Sequence, residues 1–160
     1  MNRRNAIYRL AVVTAIVLGI VILLLGGCKE ANPADGVISE VTMSTDVDQN
    51  GLPLNPTDVF TTDTHTLYLS FKLSGFPVGT EIKAEWIYVG GDPETEDMVG
   101  QNFVAETQTA TVMKKGGGYT YTTYSRPSAP GYEFWPKGNY KVVLSVDGQE
   151  KASTTFTIIE

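Results

Sequence analysis

Alternation of apolar and polar residues at every second position predicts an all-β fold, built as a seven-stranded antiparallel sandwich. Three observations carry this expectation. Leu67, Leu69, Phe71 and Leu73 alternate with Tyr68, Ser70 and Lys72, the pattern of a strand with one buried face. Similar alternation recurs along the chain between clusters of Gly, Pro, Asn and Asp. No stretch sustains a 3.6-residue period, so no helix is expected.

The first strand begins at Val37, with Val37, Val41 and Met43 on one face alternating with Ile38, Glu40, Thr42 and Ser44. Asp46–Asp58 (DVDQNGLPLNPTD) holds two prolines and Asn50-Gly51, so it reads as turn. The second strand is Leu67–Leu73. After Pro77 and Gly79 the third places Ile82, Ala84, Trp86 and Tyr88 on one face. Residues 90–100, with four carboxylates, read as a loop. Strands at about 102–113 and 119–125 flank Lys114-Lys115-Gly116-Gly117-Gly118, whose glycines supply the positive φ of a hairpin turn. Residues 126–137 form a long proline- and aromatic-containing loop. Tyr140, Val142, Leu144 and Val146 then lead through Asp147-Gly148 to Ala152, Thr154, Phe156 and Ile158, a strong hairpin signature. A single sheet of this length would expose its apolar face, and two packed sheets remove that exposure.

Pro136-Lys137-Gly138-Asn139-Tyr140-Lys141-Val142 resembles the start of strand F in immunoglobulin-like domains, where Gly-x-Tyr-x-Cys forms a tyrosine corner. The resemblance implies an immunoglobulin-like sandwich over residues 37–160, with Tyr140 and Trp86 as structural residues. Trp86 stands on the candidate strand C, Val142 stands where the family has cysteine, and Leu69 is its candidate partner on strand B. Apolar packing then replaces the inter-sheet disulfide. The resemblance implies a fold and assigns no activity.

Ahead of this domain, Arg3, Arg4 and Arg9 precede an uncharged apolar run from Leu10 to Leu25, the layout of an N-terminal signal peptide. The run closes on Leu25-Gly26-Gly27-Cys28, which resembles a bacterial lipobox and identifies a lipoprotein signal peptide. That resemblance implies cleavage after Gly27 and diacylation of Cys28, the only cysteine of the chain. The organisation is then 1–27 signal peptide, 28–36 lipidated tether and 37–160 sandwich. An uncleaved membrane anchor is the alternative, because the run approaches the length that spans a bilayer. Either way the domain is expected on the extracytoplasmic side of a cell membrane.

Removing residues 1–27 takes three arginines and no carboxylate, leaving a net charge of −9 on 133 residues. So acidic a chain, with no basic stripe, predicts no nucleic-acid partner. One domain of this size buries enough surface to fold without disulfide or metal. No cofactor is expected. With one histidine, His65, and one cysteine, neither a nucleophilic triad nor a zinc site with its usual ligands is assembled. Asp46-x-Asp48-x-Asn50-Gly51 has the spacing of half a calcium loop, but Thr57 stands where the bidentate glutamate belongs. An ordinary Asx turn is favoured. Tyr121, Tyr132 and Trp135 are the candidate ligand-binding aromatics. The expected function is a non-enzymatic, lipid-anchored interaction or accessory domain, with an envelope protein or glycan as partner. The alternatives are a carbohydrate-binding module using those aromatics and, third, an envelope hydrolase.

Overall fold

The computed structural model describes residues 36–114, 117–125 and 135–160, with the strand 117–125 described through its backbone. Nine strands and one short helix follow in order. They are β1 (Val37–Val47), β2 (Pro53–Pro56), β3 (Val59–Thr61), β4 (Leu67–Ser74), β5 (Glu81–Gly90), α1 (Pro93–Val99), β6 (Phe103–Thr111), β7 (Gly117–Ser125), β8 (Gly138–Val146) and β9 (Gln149–Ile159). One sheet has the order β2-β1-β4-β7 and the other β3-β9-β8-β5-β6.

Alternation places the core. Leu67, Leu69, Phe71 and Leu73 of β4 are buried, as are Ile82, Ala84, Trp86 and Tyr88 of β5 and Tyr140, Val142, Leu144 and Val146 of β8. Phe156 and Ile158 of β9 join them in one apolar cluster drawn from both sheets. Leu69 and Val142 are fully buried, one in each sheet. The first half of β9 is different, since Ala152 and Thr154 are only half-buried.

Four expectations are corrected. Among the described residues the strand count rises from seven to nine, because the turn-rich segment contributes β2 and the residues just after it form β3. β2 is an edge strand of four residues bounded by Pro53 and Pro56, a position that tolerates proline. The sandwich is not wholly antiparallel. β3 runs parallel to β9 with Val59 opposite Thr157 and Thr61 opposite Ile159, stitched by Thr157 N–H to Asp58 O at 2.8 Å and Thr62 N–H to Ile159 O at 2.9 Å. The glycine-rich segment between β6 and β7 is no hairpin turn, for the two strands lie in different sheets. Finally, the loop 90–100 contains α1.

The face of β1 also differs from simple alternation. Pairing with β4 shifts between Ser39 and Thr42, and Glu40 has φ of 50°. This bulge inserts one residue and reverses the phase of the strand. Ile38 before it and Met43 after it are therefore both buried, whereas Val37 is exposed.

Candidate functional site

The residues that could carry function fall into an aromatic cluster, a polar cap beside it, an Asx turn and a concave bay on the second sheet. Phe156 stacks on Tyr140 with ring centroids 5.0 Å apart. Trp135 meets Tyr140 edge-on at 5.4 Å and lies 6.1 Å from Trp86. Trp86 in turn meets Phe156 at 5.9 Å. Trp86 is fully buried from β5, and Tyr140 and Trp135 are each 2% exposed. The Tyr140 hydroxyl donates to the Pro136 carbonyl at 2.7 Å, the bond of a tyrosine corner.

This geometry removes Trp135 from the candidate ligand-binding aromatics. A ring that stacks on a sugar must face solvent, and the Trp135 ring is enclosed by Trp86, Tyr140 and Phe156. Tyr121 sits in β7 opposite Phe71 of β4. Tyr132 lies outside the described residues, as do Leu25, Gly26, Gly27 and Cys28 of the lipobox and the tether up to residue 35.

The polar cap is built on α1. Asp92 is its N-cap, with Pro93 opening the helix. The Asp92 carboxylate accepts from the Thr95 hydroxyl at 2.8 Å and the Thr95 N–H at 3.0 Å. These bonds, led by the Thr95 side chain, hold the Asp92 pKa below its ordinary value, and Lys137 adds to the effect. Glu96 accepts from Gly91 N–H at 2.8 Å and Gln101 Nε2 at 2.9 Å, and its pKa is lowered chiefly by the Gly91 bond. The Tyr88 hydroxyl donates to Asp92 O at 3.1 Å, while burial pushes its own pKa up. The Asp92 carboxylate thus caps α1, and that of Glu96 ties the helix to the residues on either side of it.

At the candidate calcium turn the same logic holds. Asp48 Oδ1 accepts from Asn50 N–H and Leu52 N–H, both at 2.8 Å. Asp46 Oδ1 accepts from Val47 N–H at 2.8 Å. The Leu52 bond is the main reason that the Asp48 pKa is lowered. Asp48 closes an Asx turn on its own backbone. Among the described residues no group of three or more His, Cys, Asp or Glu side chains is placed to hold a metal ion. His65 lies in the turn before β4, with Nδ1 2.7 Å from the Asp63 carbonyl.

The bay was not legible in sequence. Glu81, Lys83, Thr109, Ser145, Asp147 and Gly148 line a concavity of about 290 Å³. Three strands bring these residues together, since Lys83 of β5 pairs with Thr109 of β6 on one side and Ser145 of β8 on the other. Nothing local to any one segment signals that row.

No family model matches the chain, and no curated protein does. Among solved structures, the chain resembles the alkylpurine DNA glycosylase AlkC of Pseudomonas fluorescens at 14% identity and a TM-score of 0.47, over 79% of this chain. It spans only 31% of that glycosylase chain. The soluble domain of PmoD from Methylocystis is matched at 13% identity and a TM-score of 0.41, over 76% of this chain and 90% of that one. An immunoglobulin-like protein from Pseudomonas aeruginosa is matched at 12% identity and a TM-score of 0.51, over 79% of this chain and 98% of that one. Together with the two sheets, the tyrosine-corner bond and buried Trp86, this last likeness establishes the fold as an immunoglobulin-like β-sandwich.

Proposed function

We propose that this chain is a lipoprotein whose immunoglobulin-like sandwich is held on the extracytoplasmic side of a cell membrane as a non-enzymatic interaction or accessory domain. One observation carries the reading. The sole cysteine ends a Leu-Gly-Gly-Cys sequence after an uncharged apolar run, and the first strand of the sandwich starts only nine residues later, at Val37. A tether of residues 28–36 reaches about 30 Å at most when fully extended, so the domain would stay close to the headgroups. The acidic balance of the part after residue 27 would discourage adhesion to anionic lipid. Two or three acyl chains give stable anchoring where one gives only marginal binding.

The non-enzymatic part of the reading is supported by where the chemistry-bearing side chains go. The carboxylates of Asp48, Asp92 and Glu96 are held by backbone or neighbouring side-chain donors. The glycan alternative through loop aromatics loses Trp135 to the core. The experiment is expression of the full chain in a bacterial host with a fatty-acid probe. The wild type should label and partition with membranes, and Cys28→Ser should lose the label. Equal labelling of the variant would refute the lipobox assignment.

A further inference from the structure

Among the described residues four large apolar side chains are more than half exposed: Val37 at 57%, Val78 at 56%, Met98 at 56% and Met113 at 73%. Apolar residues scattered singly over a surface need no explanation, but three of these four meet at one end of the sandwich. Val37 opens β1 opposite Ser74, the last residue of β4, and Ser74 lies opposite Gly117, the first of β7. The turn from β4 to β5 carries Val78. It is tied to the segment that carries Met113 by Gly79 N–H to Val112 O and Val112 N–H to Thr80 O, both at 2.9 Å. The Asp147-Gly148 turn belongs to this end too, because Ser145 pairs with Lys83 near the start of β5. α1 lies at the opposite end, where Gly90 pairs with Asn139.

The backbone at this end does not call for apolar side chains. In the turn, Thr80 N–H bonds Pro77 O at 3.2 Å and Gly79 takes a φ of 91°, and Val78 has no part in either requirement. Val112 is buried in the core, whereas Met113 after it is exposed. Charge divides along the same axis. The near-end connections 75–80, 112–116 and 147–148 hold Lys114, Lys115 and Asp147 as their charged residues. Far-end segments hold Asp48, Asp63, Asp92, Glu94, Glu96 and Asp97, with Lys137 3.9 Å from Asp92. Met98, on α1, sits in that acidic set, which repels an anionic surface. The chain enters the sandwich at Val37, nine residues after Cys28, so a membrane attachment at the N-terminus presents the near end first. We propose that this end, through Val37, Val78 and Met113, docks on the surface of a phospholipid bilayer. The apolar side chains enter the interface, the lysines meet anionic headgroups, and the acidic end faces away. The proposal rests on the membrane attachment proposed above but not on its chemistry, since a lipid on Cys28 and a retained apolar run would hold the same end.

The test uses the full chain reconstituted into vesicles of phosphatidylethanolamine and phosphatidylglycerol, with and without brominated acyl chains that quench tryptophan on contact. Trp86 and Trp135 are buried, so the native rings give a constant background. Val78→Trp and Met113→Trp should each add emission that shifts to the blue in vesicles and is quenched by brominated lipid. Asp97→Trp, at the far end, should add emission that does neither. All three positions are exposed, and the two near-end variants report independently, so one that failed to fold would leave the other. Docking is overturned if the chain floats with the vesicles while Val78→Trp and Met113→Trp are quenched no more than Asp97→Trp. That result leaves attachment standing. A chain that does not float with the vesicles overturns attachment and docking together. The mass of the Cys28 peptide from the same sample reports acylation separately.

Discussion

Tyr140 joins two sources of stability in one side chain. Its ring stacks on Phe156 and meets Trp135 and Tyr88, while its hydroxyl holds the Pro136 carbonyl. Tyr140→Phe keeps the rings and deletes that bond, leaving a carbonyl without its donor. A loss of about 1–3 kcal/mol is expected from denaturant unfolding, and an unchanged midpoint would show the bond to be incidental. Gly138, two residues earlier, makes the corner sterically feasible. Its φ is 134°, and a Cβ there would lie 2.4 Å from Tyr88 Cε2 and 3.0 Å from the Gly90 carbonyl. Gly138→Ala combines backbone strain with overpacking and should cost at least about 2 kcal/mol. A variant as stable as the wild type would mean that Tyr88 moves aside freely.

Elements differ in how far their own residues dictate them. β4, β5 and β8 were legible because each alternates cleanly and each buries its apolar face. The tyrosine corner was legible because its spacing is local. β3 was not, since three residues become a strand only when β9 lies beside them. The bulge at Glu40 hid the true core face of β1 in the same way. The path from β6 to β7 misled because glycines permit a tight turn without requiring one, and sheet membership is settled by distant partners. α1 carried a readable signal in Asp92-Pro93 followed by Thr95, but seven residues are too few to set a period. Its stability should depend on acid. Asp92 and Glu96 have pKa values lowered by hydrogen bonds present only when folded, so the unfolded chain binds protons more tightly. Their contribution is complete above the unfolded values near about 4 and is lost as pH falls through the lower folded ones. Amide exchange at Gly91 and Thr95, corrected for intrinsic rates, should therefore accelerate relative to β8 as pH falls below the unfolded values of about 4. Equal acceleration across α1 and β8 would contradict this.

On the scale of the whole molecule, the sandwich is closed by aromatic packing, and the only cysteine of the chain precedes its first strand in sequence. Val142, where the related pattern has cysteine, is fully buried in β8, and Trp86, Tyr140 and Phe156 pack around one another. The task proposed for Cys28 is lipidation, on the strength of the Leu25-Gly26-Gly27 sequence before it. Among the described residues, which do not include the apolar run 10–25, no helix is long and apolar enough to cross a membrane, and the attachment proposed is a lipid on Cys28. The most direct measurement is the mass of the N-terminal peptide of the protein purified from bacterial membranes. The expected peptide begins at Cys28 and carries a thioether-linked diacylglyceryl group. A peptide that retains residues 1–27, with Cys28 internal and unmodified, would contradict it.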